Sequence, residues 1–545
     1  MPIATSTTAA PEAVPLAYDA IIIGAGFSGL YQLHQLRDQL GLSVLLLEAG
    51  EGVGGTWYWN RYPGARCDSE SYTYCYSFSQ SLHEDWQWTE RYPEHGEIRR
   101  YLNLVADKFA LRPDIRFGTR VAGAAFDEAA NRWAVTTTAG EVYQAQFFIT
   151  AVGCLSSANI PKLAGLDTFK GQWYHTGAWP HDGVDLTGKR VGLIGTGSTG
   201  IQATPVIADQ AQHLTVFQRT ANYSVPARNA PMTDEFQAYV KANNVAIRAK
   251  AKSTPNGHPF DMFEKSALDV PAAEREQRYE DAWQAGGLRF RAVFADLLHN
   301  KAANDTASDF LRAKIRAIVH DPATAAMLTP TDHPFASKRP PIDTNYFETF
   351  NRPDVALVDV KATPILEVTP DGIRTTDATY PLDVIVFATG FDAMTGPLLA
   401  MDIHGAGGRS LRQDWAAGPR TYLGLQTAGY PNMFTVTGPG SPSVLTNMPV
   451  AIEQHTQWIT ACIRHMRDNG LTRIETTQEA ADAWVDEVNA AANATLLPQA
   501  NSSWYLGANI PGKPRVFMPY AGGMARYAAL CDTVAANNYE GFVVR

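Results

Sequence analysis

Tyr18-Asp-Ala-Ile-Ile-Ile-Gly24-Ala-Gly26-Phe-Ser-Gly29 is a short, β-rich apolar run that breaks into three glycines at GxGxxG spacing. Leu30, Leu33 and Leu36 then recur at helical spacing and Ser43 to Leu47 is apolar again, so strand, helix and strand follow in order. In such a unit Gly24 permits a tight turn, Gly26 lets a pyrophosphate approach the backbone, and Gly29 lets helix pack on strand. The helix N-terminus adds free N–H donors for an anion. Glu48 closes the second strand 24 residues after Gly24, where a carboxylate can accept hydrogen bonds from ribose hydroxyls.

The pattern returns further along. Lys189 to Ile194 leads into Gly195-Thr196-Gly197-Ser198-Thr199-Gly200, a helix from Ile201 and a strand from Leu214 to Phe217. The same 24-residue offset from Gly195 lands on Arg219. An acid repels a 2′-phosphate and suits FAD or NAD, whereas an arginine pairs with one, so FAD is assigned to the first site and NADPH to the second. A charged hydrogen bond of roughly 1.5–3 kcal/mol gives about a 10- to 150-fold preference for NADPH over NADH. The expected fold class is α/β, with two Rossmann-like dinucleotide-binding domains and a helical insertion.

Working outward, 545 residues suit several packed units, and 45% hydrophobic, 10% aromatic and 18% charged residues are ordinary for a globular chain. Phe147 to Gly153 and Asp383 to Gly390 are buried-strand runs ending in glycine, of the kind that marks crossings between the domains of two-dinucleotide flavoproteins. The expected division is an FAD domain, first part, over 1–150; an NADPH domain, first part, over 151–233; a helical insertion over 234–327; the second NADPH part over 328–390; and the second FAD part with a C-terminal loop over 391–545. Within the insertion, Thr306-x-x-Asp309 reads as a capping box ahead of Leu311, Ile315, Ile318 and Val319 on one face.

Several classes are excluded. A net charge of −10 argues against a broad footprint on nucleic acid or an anionic membrane. The Met1–Pro15 stretch has no Lys or Arg and lacks the n-region of a secretion signal; it reads as a frayed tail. Ala20 to Leu36 is uncharged but too polar for a lipid-facing helix. Five scattered cysteines fit a reducing cytoplasm. Gly183 to Lys189 resembles a P-loop, but Arg190 replaces the metal-binding Ser/Thr and a strand follows, so it reads as a turn. No metal-ligand spacing or GxSxG elbow is present, and no metal is expected. A flavin disulfide reductase would need a closer redox pair than Cys67 and Cys75.

Phe169-Lys-Gly171-Gln-Trp-Tyr-His175-Thr-Gly-Ala-Trp179-Pro180 lies between the two glycine motifs, and Gly54-Gly55-Thr56-Trp57 runs through Tyr62-Pro63-Gly64 to Asp68. These resemble the two fingerprints of the class B, type I Baeyer–Villiger monooxygenases. Ser337-Lys338-Arg339, Ala416 to Gly424, Gly438 to Ser443 and Ser503-Trp504-Tyr505 extend the resemblance along nearly the whole chain. It is closest to the phenylacetone and steroid monooxygenase branch.

The resemblance implies that NADPH reduces FAD, that O2 adds to the flavin as a C4a-peroxide, and that a ketone is converted through a Criegee intermediate to an ester or lactone, with sulfoxidation as a side activity. Such anions need a cation that cannot protonate them, and Arg339 is the candidate. Asp68 matches the acid that pairs with this arginine, Lys338, Arg219 and Thr220 match contacts to the 2′-phosphate, and Trp504 matches a loop residue over the nicotinamide ribose. Trp57 and Tyr74 are expected near the flavin; Trp57, Trp59, Trp86 and Trp88 are expected to form its apolar wall. His175 and Trp179 are expected to couple the domains instead of acting as acid or base. Gly438 to Ser443, Leu445 and Met448 lie where the family shapes its pocket.

The expected partners are therefore a small ketone and O2, with no nucleic acid and no membrane, for a cytoplasmic monomer or weak dimer. One alternative is a flavin-containing monooxygenase that oxidises amines or sulfides. Trp179-Pro180 and Lys338-Arg339 favour ketones. A non-catalytic NADPH sensor is disfavoured because Arg339 and Asp68 are both present.

Overall fold

The computed structural model describes residues 16–545. The Met1–Pro15 stretch lies outside the described residues. Two mainly parallel sheets organise the chain. The first sheet centres on Leu16–Ile23, flanked by Val44–Leu47 and Val142–Thr150, both parallel to it. Val142–Thr150 is shared along its other edge: Arg132–Thr137 runs antiparallel to its first half, and Met433–Thr435 runs parallel to its second. Val121–Asp127 and Asp402–His404 continue that side, and Ile115–Arg116 closes the other.

The second sheet is parallel throughout, in the order Val355–Asp359, His213–Gln218, Arg190–Ile194, Val384–Phe387 and Gln172–His175. Strands covered on both faces carry unbroken apolar runs, because successive side chains point to opposite sides and both must be dry. Ala20 and Ile22 join one cluster of the first sheet, and Ile21 and Ile23 join the cluster on its other face. Val384 and Val386 divide from Ile385 and Phe387 in the same way.

Helices Asp234–Ser253, Ala272–Ala285, Lys301–Ile318 and Pro322–Leu328 follow the second glycine unit. Tyr279, Trp283, Phe290, Phe294 and Phe310 form much of their common core. The capping-box reading at Thr306 is incorrect. The helix begins a full turn and more earlier, because the Asn300 side chain accepts from the N–H groups of Ala302 and Ala303. Thr306 sits inside the helix and donates its hydroxyl to Ala303 O instead. Gly183 and Gly188 both adopt positive φ in a turn before the strand Arg190–Ile194. Among the described residues no helix is long and apolar enough to cross a membrane.

Candidate active site

Both glycine loops leave the end of a central strand and open a helix, Phe27–His34 in the first unit and Ser198–Ala208 in the second. Gly24 and Gly195 have φ of +103° and +114°, a region that disfavours any side chain. A Cβ on Gly29 would stand 1.8 Å from Gly24 O, and one on Gly200 would stand 2.0 Å from Gly195 O. No side chain caps either helix, so first-turn N–H groups are left for an anion. Gly26 faces Gly55 at backbone distance, whereas the space over Gly197 is open. These cradles fit two dinucleotides.

Glu48 is buried, and burial raises its pKa against the hydrogen bonds it accepts from Ala25 N–H and Gly50 N–H, each 2.7 Å. It thus braces the first glycine loop as well as facing the site. Each oxygen keeps a further lone pair for a ribose hydroxyl. Trp57 is buried with its indole N–H unpartnered, edge-on to Tyr74 at 5.7 Å between ring centres. Burial pushes the Tyr74 phenol well up, so it stays neutral. Trp59 packs on Tyr58, while Trp86 and Trp88 pack on each other and on Tyr101. Trp57, Trp86 and Trp88 share one apolar cluster, while Trp59 lies outside it.

Arg339 and Asp68, 271 positions apart, form a fork-to-fork pair. Nε donates to Oδ2 at 2.8 Å, Nη2 to Oδ1 at 2.7 Å, and Nη1 to Val444 O at 2.9 Å. Three of five N–H donors are engaged and two remain. Both side chains are about one-fifth exposed. Burial alone would raise the Asp68 pKa, but the Arg339 charge and hydrogen bonds reverse this and hold it below the usual carboxylate value. Burial would likewise lower the Arg339 pKa, and Asp68 raises it further above its ordinary value.

At the second glycine loop, Arg219 follows the strand His213–Gln218, and Thr196 Oγ1 donates to Thr220 O at 2.9 Å. Lys338 has its pKa lowered, first by burial and, despite attraction from Asp332, by the charges of Arg219 and Lys361. Three cations thus gather beside the open cradle over Gly197.

The flavin-binding monooxygenase-like family model matches residues 18–230. The Baeyer–Villiger monooxygenase of Pseudooceanicola batsensis is 45% identical over 529 residues, covering 96% of each chain. The chain belongs to the Baeyer–Villiger monooxygenase family. A solved structure titled oxidized steroid monooxygenase bound to NADP superposes with a TM-score of 0.92 at 52% identity, covering 97% of this chain and 99% of that one. The phenazine N-monooxygenase of Lysobacter antibioticus is 44% identical over 530 residues, covering 97% of each chain.

In this Baeyer–Villiger family member His175 is fully used by the backbone. Nδ1 accepts from Gly177 N–H at 3.0 Å, which leaves Nε2 to donate to Gly390 O at 3.1 Å. Trp179 is buried against Tyr174. Trp504 is partly buried beside Tyr505, and it is Tyr505, wholly buried, whose hydroxyl is felt by Arg339.

Sequence reasoning quoted Tyr505 without giving it a role and missed Lys361, His258 and Arg291. Lys361 follows the strand Val355–Asp359, whose register pairs Asp359 with Gln218 and so sets Lys361 beside Arg219. Strand pairing was its only signal. His258 is buried within reach of the Arg339 and Asp68 charges; burial first, then Arg339, lowers its pKa to about 4, so it is neutral. All five cysteines are free, and burial pushes the Cys67 thiol up, which removes it as a nucleophile.

Proposed function

We propose that the chain uses NADPH, FAD and O2 to convert ketones to esters or lactones. When bound, the reduced flavin supplies the electrons that activate O2 and delivers one oxygen atom to the carbonyl carbon. Gly24, Gly26, Gly29, Glu48, Trp57 and Tyr74 would hold the FAD. Gly195, Gly197, Ser198, Gly200, Arg219, Thr220, Lys338 and Lys361 would hold NADPH, with the cations on its 2′-phosphate, and Trp504 would cover its ribose.

The observation that carries this reading is the Arg339–Asp68 pair. A guanidinium cannot give up its proton near neutrality, so its two unengaged N–H groups can stabilise an anionic oxygen without neutralising it. Asp68 fixes the orientation of that plane, and Val444 O holds its third edge. The residue ranges given above as domains, and a cytoplasmic monomer or weak dimer, belong to the same proposal.

Incubation with labelled O2 and a panel of aryl, cyclic and steroid ketones tests it. One labelled oxygen is expected in the ester; label found only in water under every ketone overturns the reading. The 44% identity to a phenazine N-monooxygenase favours a second reading, oxygenation of nitrogen or sulfur. Amines and sulfides in the same panel decide between the two.

A further inference from the structure

The charges around the Arg339–Asp68 pair do not balance. Arg339 is matched by Asp68. Glu70 takes both Arg91, at 2.8 Å, and Arg289, at 3.4 Å. His258 is neutral. Arg291 has no carboxylate partner and no hydrogen bond among the described residues, and its Nε is buried and unsatisfied. It lies on the short turn of helix Gly287–Ala292, whose Leu288, Phe290 and Ala292 enter the insertion core. Its own side chain is only partly exposed, and the Arg289–Glu70 contact of 3.4 Å sets this turn against the loop that carries Asp68, where the charges of Arg339 and Asp68 and the Tyr505 hydroxyl act on Arg291.

With Nε dry and unpartnered and the side chain still partly exposed, Arg291 is a cation that an arriving anion can reach and pair with. The described residues supply no such group, and the neighbouring Arg339 repels Arg291 without offering an acceptor. We propose that Arg291 receives a negatively charged group carried by the ketone substrate, a carboxylate in its simplest form, so that this chain selects oxo acids over neutral ketones. The inference rests on the proposed ketone oxidation.

Two matched pairs test it: 3-oxocyclohexanecarboxylate against 3-methylcyclohexanone, and 4-acetylbenzoate against 4-methylacetophenone. A charged hydrogen bond at this site predicts a kcat/KM ratio of about 10 to 150 in favour of the acid. In Arg291→Leu the ratio should fall by about 10-fold or more, and Arg291→Lys should keep part of it. NADP+ affinity, read from the flavin absorbance on titration, should stay within about two-fold in both variants. A wild-type ratio of one or less overturns the proposal, as does an Arg291→Leu variant that loses NADP+ affinity or both ketones alike. Should no ketone in either pair or in the wider panel be oxidised, ketone oxidation fails as a reading. Calorimetric titration of the two acids into the NADP+-loaded protein then decides Arg291 on its own: binding that disappears in Arg291→Leu supports it, and no binding to wild type sinks it.

Discussion

Arg339 grips Asp68 through two parallel hydrogen bonds of 2.8 and 2.7 Å, and a third holds it to Val444 O. A planar cation tied along one edge cannot swing, so its unengaged donors keep a fixed aim. The pair joins a loop of the first glycine unit to the segment just before the strand Ile342–Asp343, and the carbonyl comes from the turn after Gly438 to Ser443.

Loss of that cation should separate two half-reactions. For Arg339→Ala, NADPH should still bleach the flavin, while ester formation falls by about 10²- to 10³-fold, the cost of one lost oxyanion donor. Stopped-flow absorbance and product chromatography read the two steps separately. Undiminished ester would remove Arg339 from the reaction.

The phosphate site should show graded effects. Arg219→Ala should cost about 10- to 150-fold in NADPH over NADH selectivity. Lys361 is exposed like Arg219, but its ammonium is a point charge on a flexible stem and lacks the fork that grips a phosphate at two oxygens, so Lys361→Ala should cost only about 1.4- to 5-fold. Dissociation constants of NADP+ and NAD+ measure both, and an Arg219→Ala protein with unaltered selectivity would misplace the phosphate.

The third glycines should behave as separable determinants. Gly29→Ala sets a Cβ 1.8 Å from Gly24 O, and Gly200→Ala sets one 2.0 Å from Gly195 O. Flavin content after purification should collapse in the first variant. In the second, flavin should be retained while NADP+ binding is lost.

Asp343 supplies a pH signature away from the chemistry. It is buried, accepts from Ser224 Oγ at 2.6 Å, and burial raises its pKa from 3.8 to about 6. A raised folded-state value means stability is fullest below about pH 3.8 and is lost as pH rises through about 6. That span corresponds to about 3 kcal/mol. Denaturant unfolding from pH 4 to 8 should show Asp343→Asn gaining on wild type by up to that amount; parallel curves would refute the shift.

Both Rossmann units were legible because their signals are local. Gly29 and Gly200 are demanded by backbone approaches within a few residues, Gly24 and Gly195 by the positive φ of the tight turn, and the apolar runs follow from strands covered on both faces. Glu48 and Arg219 could be found by counting, since a strand–helix–strand unit has a nearly fixed length. The Thr306 capping box failed because Asn300 offered a competing cap that the pattern did not rank. Arg339 and Asp68 were legible only through resemblance to a family, because nothing in their spacing connects positions 271 residues apart.

What the sequence by itself determined is the pair of dinucleotide folds, the acid in one and the arginine in the other, and a chain too acidic overall for a polyanion. Only the tertiary structure decided which charges meet. It sets Lys361 beside Arg219 through strand register, and it spends Asp68 on Arg339 and Glu70 on Arg91 and Arg289. Among the described residues it leaves Arg291 with none. Charge balance depends on distances of a few ångströms between remote segments, and only packing fixes those distances.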